Sequence, residues 1–119
     1  MHHKELTVWK KSIELANLSY KLIALLPDTE RYLLGKQMRK CAVSIPSNIA
    51  EGAGRKTIKD YIRFLNISNG SLQELETQYI IGVNQKFFPK DNNFEETADH
   101  VGRMLNNQIK SLRSKIPEK

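Results

Sequence analysis

The feature that most constrains the fold is a run of apolar and small side chains spaced alternately four and three residues apart over three heptads. This spacing places the side chains on one face of a single helix, which we predict to extend from Ile58 to about Lys86. Because such a seam packs against antiparallel neighbours, it indicates a helical bundle. Gly70 and Gly82 weaken the helix intrinsically, and close contact with another helix is the expected reason for both. The seam consists of Tyr61, Leu65, Ser68, Leu72, Leu75, Tyr79 and Gly82.

The first helix is predicted to begin after Thr7, a suitable N-cap, and to end at about Leu26, before Pro27. Its apolar side chains recur at the same alternating spacing and predict the face that the helix buries. Further apolar residues widen that face, so the helix buries more than a narrow stripe. The predicted stripe is Trp9, Ile13, Ala16, Tyr20 and Ile23, widened by Val8, Leu15, Leu22 and Leu26.

The second helix is predicted to extend from about Gly35 to Ala53. Pro46 lies inside it and is expected either to kink the helix or to split it. Thr57 and Asp60 then form a capping-box pattern, with Asp60 in place of the usual Glu or Gln. This pattern marks the start of the third helix.

The last helix is predicted from about Asn93 to Lys115, and no segment alternates with the period of a strand. We therefore predict that residues 1–119 form one all-α domain. The simplest arrangement is an antiparallel up-down four-helix bundle with short connections. The apolar face of the last helix comprises Phe94, Ala98, Val101, Leu105 and Leu112, with Gln108 in the same stripe.

The formal net charge of +6 is unevenly distributed along the chain. Residues 31–63 contain eight bases and two acids, residues 64–99 two bases and six acids, and residues 100–119 five bases and one acid. Such segregation creates a field that attracts an anionic partner, RNA or DNA among them. The alternative is a solvated surface whose charges pair between helices or protomers.

Two groups of basic side chains are the candidate nucleic-acid-binding residues. Their three- and four-residue spacings place each group on one side of a helix, and we expect the two sides to adjoin the same turn. Contacts of this kind are directed at phosphates, since no motif for reading bases is present. An ordinary solvated basic face is the competing interpretation. The candidates are Lys36, Arg39 and Lys40 in the second helix, and Arg55, Lys56, Lys59 and Arg63 around the next turn.

No residue pattern indicates an enzyme. The polar side chains of Ser44–Glu51 include two hydroxyls, but the three histidines of the chain lie in the N-terminal segment and in the last helix. Helix capping and helix contacts explain these polar residues more simply than nucleophilic or acid–base chemistry. Gly52–Thr57 lacks the spacing of a phosphate-binding loop. We expect no catalytic residue, no metal site and no cofactor.

The composition also bears on where the protein works. No run of about 18 apolar residues is present, so no membrane span is expected. The N-terminal segment Met1–Glu5 lacks the apolar core of a secretory signal. Cys41 has no second cysteine to pair with, which fits a reducing cytoplasm, and its apolar neighbours predict a buried thiol.

Several stretches of the sequence, in order, form a pattern that extends over nearly the whole chain. Together they resemble the small four-helix-bundle proteins encoded within intervening sequences of bacterial 23S ribosomal RNA genes. The longest stretch, rich in small residues and containing Pro46, is the most specific of them. The stretches are Leu6–Lys11, Gln37–Lys40, Ser44–Gly52, Tyr61–Leu65 and Gly70–Gln78.

The resemblance implies a left-handed four-helix bundle that assembles as a homopentamer. It also relates the chain to the accessory protein of diversity-generating retroelements, a basic pentamer that associates with nucleic acid and a reverse transcriptase. Together with the charge pattern, it predicts a non-catalytic oligomer that binds structured RNA or other nucleic acid. A reverse-transcriptase-like partner follows from the distant resemblance alone. The alternative function is a homo-oligomeric protein-interaction scaffold with no direct nucleic-acid role.

Overall fold

The computed structural model describes residues 2–117, which fold into four long α-helices and, within that range, no strand. The prediction of an all-α bundle is confirmed. Two short 3-10 turns, His3–Glu5 and Asp28–Glu30, precede the first and second helices. The helices are α1 (Thr7–Ile23), α2 (Leu34–Ala53), α3 (Ile58–Asn84) and α4 (Asn92–Arg113).

Each helix packs against its neighbours in the chain, and α4 closes the bundle against α1. The contacts between α2 and α3 are the most extensive. Short connections make consecutive helices antiparallel, so α2 and α4 run opposite to α1 and α3. The molecule measures 53 × 26 × 23 Å, with the helices along its length. The two ends of the bundle are therefore well separated. The left-handed twist of the bundle, which the resemblance implies, stays a prediction.

The core forms where the seam of α3 meets the apolar faces of the other helices. Leu65 and Leu75 of α3 and Leu105 of α4 have no exposed surface. Tyr61, at the start of the seam, is half-buried, and the other seam residues are buried. The predicted burial along α3 is thus confirmed.

Six of the nine residues predicted for the buried face of α1 are buried, but the centre of that face is shifted by one residue. Trp9 and Ile13 are only half-buried, and Tyr20 is 45% exposed. The face turned to the core instead carries two fully buried serines, Ser12 and Ser19. Their hydroxyls donate to backbone carbonyls of the same helix at 2.7 and 2.8 Å, which satisfies them without water. A serine whose hydroxyl is hydrogen-bonded within its own helix can lie in the core. The spacing of apolar residues does not predict such a position.

Two predicted helix boundaries also differ from the structure. Thr7 lies inside α1, and the residue before it, Leu6, provides no side-chain cap. α1 ends at Ile23 instead of near Leu26. By contrast, α2 continues through Pro46, so the helix is not split. Pro46 is buried, and packing on neighbouring helices holds α2 continuous although the ring removes one backbone donor.

The glycines differ in what they contact. A Cβ on Gly52 in α2 would lie 2.9 Å from Phe64 Cβ, so α2 and α3 approach each other closely there. A Cβ on Gly82 would collide with the ring of Phe88 in the following turn, which is not a contact between helices. A Cβ on Gly70 would meet nothing within 4 Å. The expected helix–helix contacts at Gly70 and Gly82 are therefore wrong for this chain.

Candidate nucleic-acid interface

Four exposed basic side chains surround the turn between α2 and α3. α3 begins there because Thr57 Oγ1 accepts a hydrogen bond from the Asp60 backbone N–H at 3.1 Å, as the capping pattern predicts. The capped start fixes the direction in which the first two turns of α3 present their side chains. We call this group the α2–α3 basic cluster: Arg55, Lys56, Lys59 and Arg63.

The two arginines of the cluster are ordered by an aromatic ring and by carboxylates. The Cζ atoms of Arg55 and Arg63 lie 4.6 and 4.4 Å from the centre of the Phe64 ring. Arg63 pairs with Asp60 at 3.0 Å. Arg55 pairs with Glu51. Both guanidinium groups are therefore held in place and partly neutralised.

The two lysines of the cluster have a different environment. Lys56 and Lys59 are exposed, and within residues 2–117 neither has a carboxylate partner within 4.0 Å. Since no carboxylate pairs with them within that distance, both ammonium groups are open to an anion from solvent. They are the strongest phosphate-binding candidates of the cluster.

The other candidates, Lys36, Arg39 and Lys40, lie in the first two turns of α2, and we call them the α2 basic cluster. Both lysines are exposed. Arg39 is half-buried and donates a hydrogen bond to the carbonyl oxygen of Arg31 at 3.2 Å. Arg39 therefore also helps to fix the connection between α1 and α2.

The two clusters do not adjoin the same turn, and that prediction is wrong. One lies at the start of α2 and the other beyond its end, and 20 residues of helix at about 1.5 Å each separate the ends by about 30 Å. The contacts with α3 confirm the register: Gln78 donates to Cys41 Sγ at 3.4 Å near one end, whereas Gly52 packs on Phe64 near the other. The bundle therefore carries separate basic surfaces at its two ends.

The structure adds bases that the sequence interpretation did not include in the site. Lys110, Arg113 and Lys115 are exposed residues at and just beyond the end of α4. Because α4 runs antiparallel to α3, they lie at the same end of the bundle as the α2–α3 basic cluster. The sequence signal was the basic excess of residues 100–119. The position of these three bases beside α3 could be known only from the antiparallel packing of the helices.

The polar residues Ser44 and Asn48 serve the packing of α2 on α3. Ser44 Oγ and Ser71 Oγ share a hydrogen bond of 2.9 Å. Asn48 Nδ2 donates to both the carbonyl oxygen and the hydroxyl of Ser44, each at 2.9 Å. Ser68 Oγ adds a buried bond of 2.8 Å to the carbonyl oxygen of Ile45. These hydroxyls are engaged in helix contacts, as the structural interpretation predicts.

Cys41 is buried at the same interface, as predicted. Burial, the largest effect, raises the pKa of its thiol, and the hydrogen bond from Gln78 opposes the rise. A raised pKa keeps the sulfur protonated and unreactive near neutral pH. Within residues 2–117, no three His, Cys, Asp or Glu side chains come together as a metal ion would require.

A groove between α3 and α4 contains most of the other perturbed groups. Tyr79 Oη donates to Glu95 Oε2 at 2.6 Å and accepts from the Asp91 backbone N–H at 2.8 Å. Burial, followed by the bond to Glu95, raises the pKa of Tyr79 to about 12. Hydrogen bonds from Lys90 and then from Tyr79 lower the pKa of Glu95. These bonds fix the turn that leads into α4.

Glu76 lines the same groove and gives a testable pH dependence. Burial, followed by repulsion from Asp99, raises the pKa of Glu76 above its ordinary value of 4.5. The folded state therefore binds this proton more tightly than the unfolded state, and the charged carboxylate destabilises the fold above the folded-state pKa. We expect Glu76→Gln to raise the free energy of unfolding at neutral pH, and the gain to disappear as the pH falls below 4.5.

Urea denaturation of Glu76→Gln and the parent protein, at neutral pH and below pH 4.5, measures this difference in the free energy of unfolding. Glu96→Gln, which removes an exposed acid from α4, is the control and should change stability by less than about 0.5 kcal/mol. Equal stability of Glu76→Gln and the parent at neutral pH contradicts the assigned burial cost.

Comparison with known proteins agrees with this geometry. The family model described as "23S rRNA-intervening sequence protein" matches residues 4–107. A crystal structure of a protein of unknown function from the S23 ribosomal protein family of Bacteroides thetaiotaomicron aligns with a TM-score of 0.78 at 23% identity. The alignment covers 92% of this chain and 99% of that one. This likeness shows the fold, and no curated protein matches the chain. Among residues 2–117, no helix combines the length and apolarity needed to cross a membrane.

Proposed function

Because the chain belongs to the 23S rRNA-intervening sequence protein family, we propose that it is a non-catalytic, oligomeric, cytoplasmic protein that binds structured RNA. The observation that carries the proposal is the α2–α3 basic cluster. Lys56 and Lys59 present charges that no described acid offsets, beside two arginines already ordered on Phe64. Such a surface suits phosphate oxygens, which accept from several donors at once.

Phosphate contacts predict how binding depends on salt. Each neutralised phosphate releases bound counterions, so the logarithm of the association constant falls by about 0.7 to 0.9 per contact for each tenfold rise in salt. The four side chains of the cluster, if each contacts one phosphate, therefore give a slope of about −3. An oligomer repeats the surface and steepens the slope further.

The experiment is fluorescence anisotropy with a labelled RNA hairpin and a matched DNA duplex, titrated over a salt series. Tight binding with a steep negative slope supports the proposal, and the ratio of the two affinities identifies the preferred nucleic acid. Absence of binding to both probes at low salt contradicts it. Light scattering on the same sample measures the mass, and a monomer at micromolar concentration contradicts the oligomer.

A second candidate function, a homo-oligomeric interaction scaffold, is favoured by a different surface. The outer side of α1 and α2 carries a shallow apolar groove lined by Trp9, Ile13, Val43 and Ala50. Val43 is 46% exposed. Apolar side chains left open in this way favour contact with another polypeptide, a second copy included. The pentameric number and a reverse-transcriptase-like partner are supported by the family resemblance alone.

A scaffold and an RNA-binding oligomer give different titrations. A scaffold whose partner is an acidic protein saturates at a defined stoichiometry and ignores isolated RNA. The hairpin experiment therefore separates the two functions.

A further inference from the structure

We propose that the end of α4 forms the second half of the nucleic-acid-binding surface, and that this surface binds the backbone of a double helix instead of a single strand. The proposal rests on the proposed function and adds to it both a site and a class of nucleic acid. Its residues are Lys110, Arg113 and Lys115, which we call the α4 basic cluster.

The register between α3 and α4 places the two clusters at the same end. Asn69 Nδ2 of α3 donates to Asn106 Oδ1 of α4 at 3.2 Å. At a rise of about 1.5 Å per residue, Arg63 lies about 9 Å along α3 from Asn69. Arg113 lies about 10 Å along α4 from Asn106. Because α3 and α4 are antiparallel, both displacements point towards the same end of the bundle. The two clusters therefore lie at similar positions along its long axis.

The charges of the α4 basic cluster are available to a ligand. All three side chains are exposed, and in the part of the chain from residue 2 to residue 117 none pairs with a carboxylate. Residues 110–117 contain no acid. Residues 51–63 contain only Glu51 and Asp60 against four bases. The ends of the two helices therefore carry a net positive charge, and Glu5 is an acid that lies beside Ser111 of α4.

The aromatic residues of α3 at this end do not offer a platform for unpaired bases. Proteins that bind single strands without sequence preference stack bases on aromatic rings. Here the Phe64 ring is covered by two guanidinium groups. Tyr61, the nearest aromatic of the α3 seam, is half-buried with its hydroxyl oxygen inside the protein. Trp9, in the first turn of α1, packs edge-on against His3 and lines the apolar groove of α1 and α2. Recognition by α3 and α4 at this end therefore depends on phosphates.

The spacing of the clusters suits two strands. Neighbouring helix axes lie about 8–10 Å apart, and long basic side chains extend that span. Cations on two neighbouring helices can therefore reach phosphates of both strands across a groove of a duplex. Double-stranded RNA is recognised in this manner, through its shape and its phosphates. The same backbone chemistry occurs in duplex DNA, so the experiment includes both.

The test compares Lys110→Glu/Arg113→Glu with a control of equal charge change at the opposite end, Lys21→Glu/Lys86→Glu, two exposed residues outside both basic clusters. The probes are a duplex RNA of about 20 base pairs, a DNA duplex of the same sequence, and a single-stranded RNA that cannot pair. We expect the parent protein to bind at least one duplex about tenfold more tightly than the single strand. Loss of two phosphate contacts should weaken binding to that duplex about thirtyfold near 0.1 M salt. The control should change the affinity for the duplex less than about threefold.

The outcomes separate this inference from the proposed function. If charge reversal in the α2–α3 basic cluster abolishes binding while the α4 variant binds normally, the inference is overturned and the proposed function stands. Equal affinity for single strand and duplex also overturns it. If the parent protein binds no nucleic acid, the proposed function fails, and the inference with it. Circular dichroism checks the fold, and the neutral variant Lys110→Gln/Arg113→Gln should show a smaller loss in the same direction.

Discussion

Replacing Gly52 with valine is expected to lower the free energy of unfolding by about 3 kcal/mol, because the added side chain overpacks the closest approach of α2 and α3. The first carbon of any side chain there would lie 2.9 Å from both Phe64 Cβ and Tyr61 Cδ1, and 3.2 Å from the Tyr61 carbonyl oxygen. A Cβ atom and a carbonyl cannot rotate away. The helices must therefore separate, which also disturbs the bonds around Ser44.

The matched control is Gly70→Ala on the neighbouring helix. Nothing lies within 4 Å of an added Cβ at that position, so the substitution should raise stability by up to about 1 kcal/mol through helix propensity. Urea denaturation followed by circular dichroism measures both variants. A Gly52→Val protein as stable as the parent contradicts the packing described here. A loss of stability in Gly70→Ala would contradict the open space described around this glycine.

Charge reversal of the α2–α3 basic cluster is expected to weaken RNA binding about a hundredfold near 0.1 M salt. The variant is Lys56→Glu/Lys59→Glu/Arg63→Glu. Three lost phosphate contacts, each contributing about 0.7 to 0.9 to the salt slope, account for this factor. The exposed positions contribute little to the core, so helicity and oligomer mass should not change.

The control for this variant has the same change in net charge at the far end of the bundle. It is Lys21→Glu/Arg31→Glu/Lys86→Glu, and all three side chains are exposed there and lie outside the candidate site. We expect less than about a threefold loss, since a distant charge acts only through a screened field. Equal losses in the two triple variants would mean that binding follows net charge and not the proposed surface. Unchanged binding by a folded variant at the α2–α3 turn removes its three residues from the site.

The fold follows from the sequence wherever apolar spacing and burial coincide. The α3 seam is buried because Leu65, Leu72 and Leu75 are apolar on the face that meets the neighbouring helices. In α1 the same reasoning selected a stripe that is partly exposed. Ser12 and Ser19 occupy core positions there, and their hydroxyls are satisfied by backbone carbonyls. Only the folded helix shows that these polar groups need no water.

The candidate site could be predicted only within each helix. Local spacing correctly placed Lys59 and Arg63 on the first turns of α3. It did not show that Lys36 lies at the opposite end, because that depends on the continuity of α2 through Pro46. The position of Lys110 beside α3 likewise depends on antiparallel packing. Side-chain spacing determines which residues share a helix face, and topology determines which faces meet.

The central claim is that one end of the bundle binds nucleic-acid phosphates. Its most direct test is the salt slope of RNA-hairpin binding, measured for the parent protein and for Lys56→Glu/Lys59→Glu/Arg63→Glu. We predict a steep slope for the parent and a slope shallower by about 2 to 3 for the variant, since each reversed base removes one contact. Identical slopes for the two proteins, or a parent affinity that does not depend on salt, would contradict it.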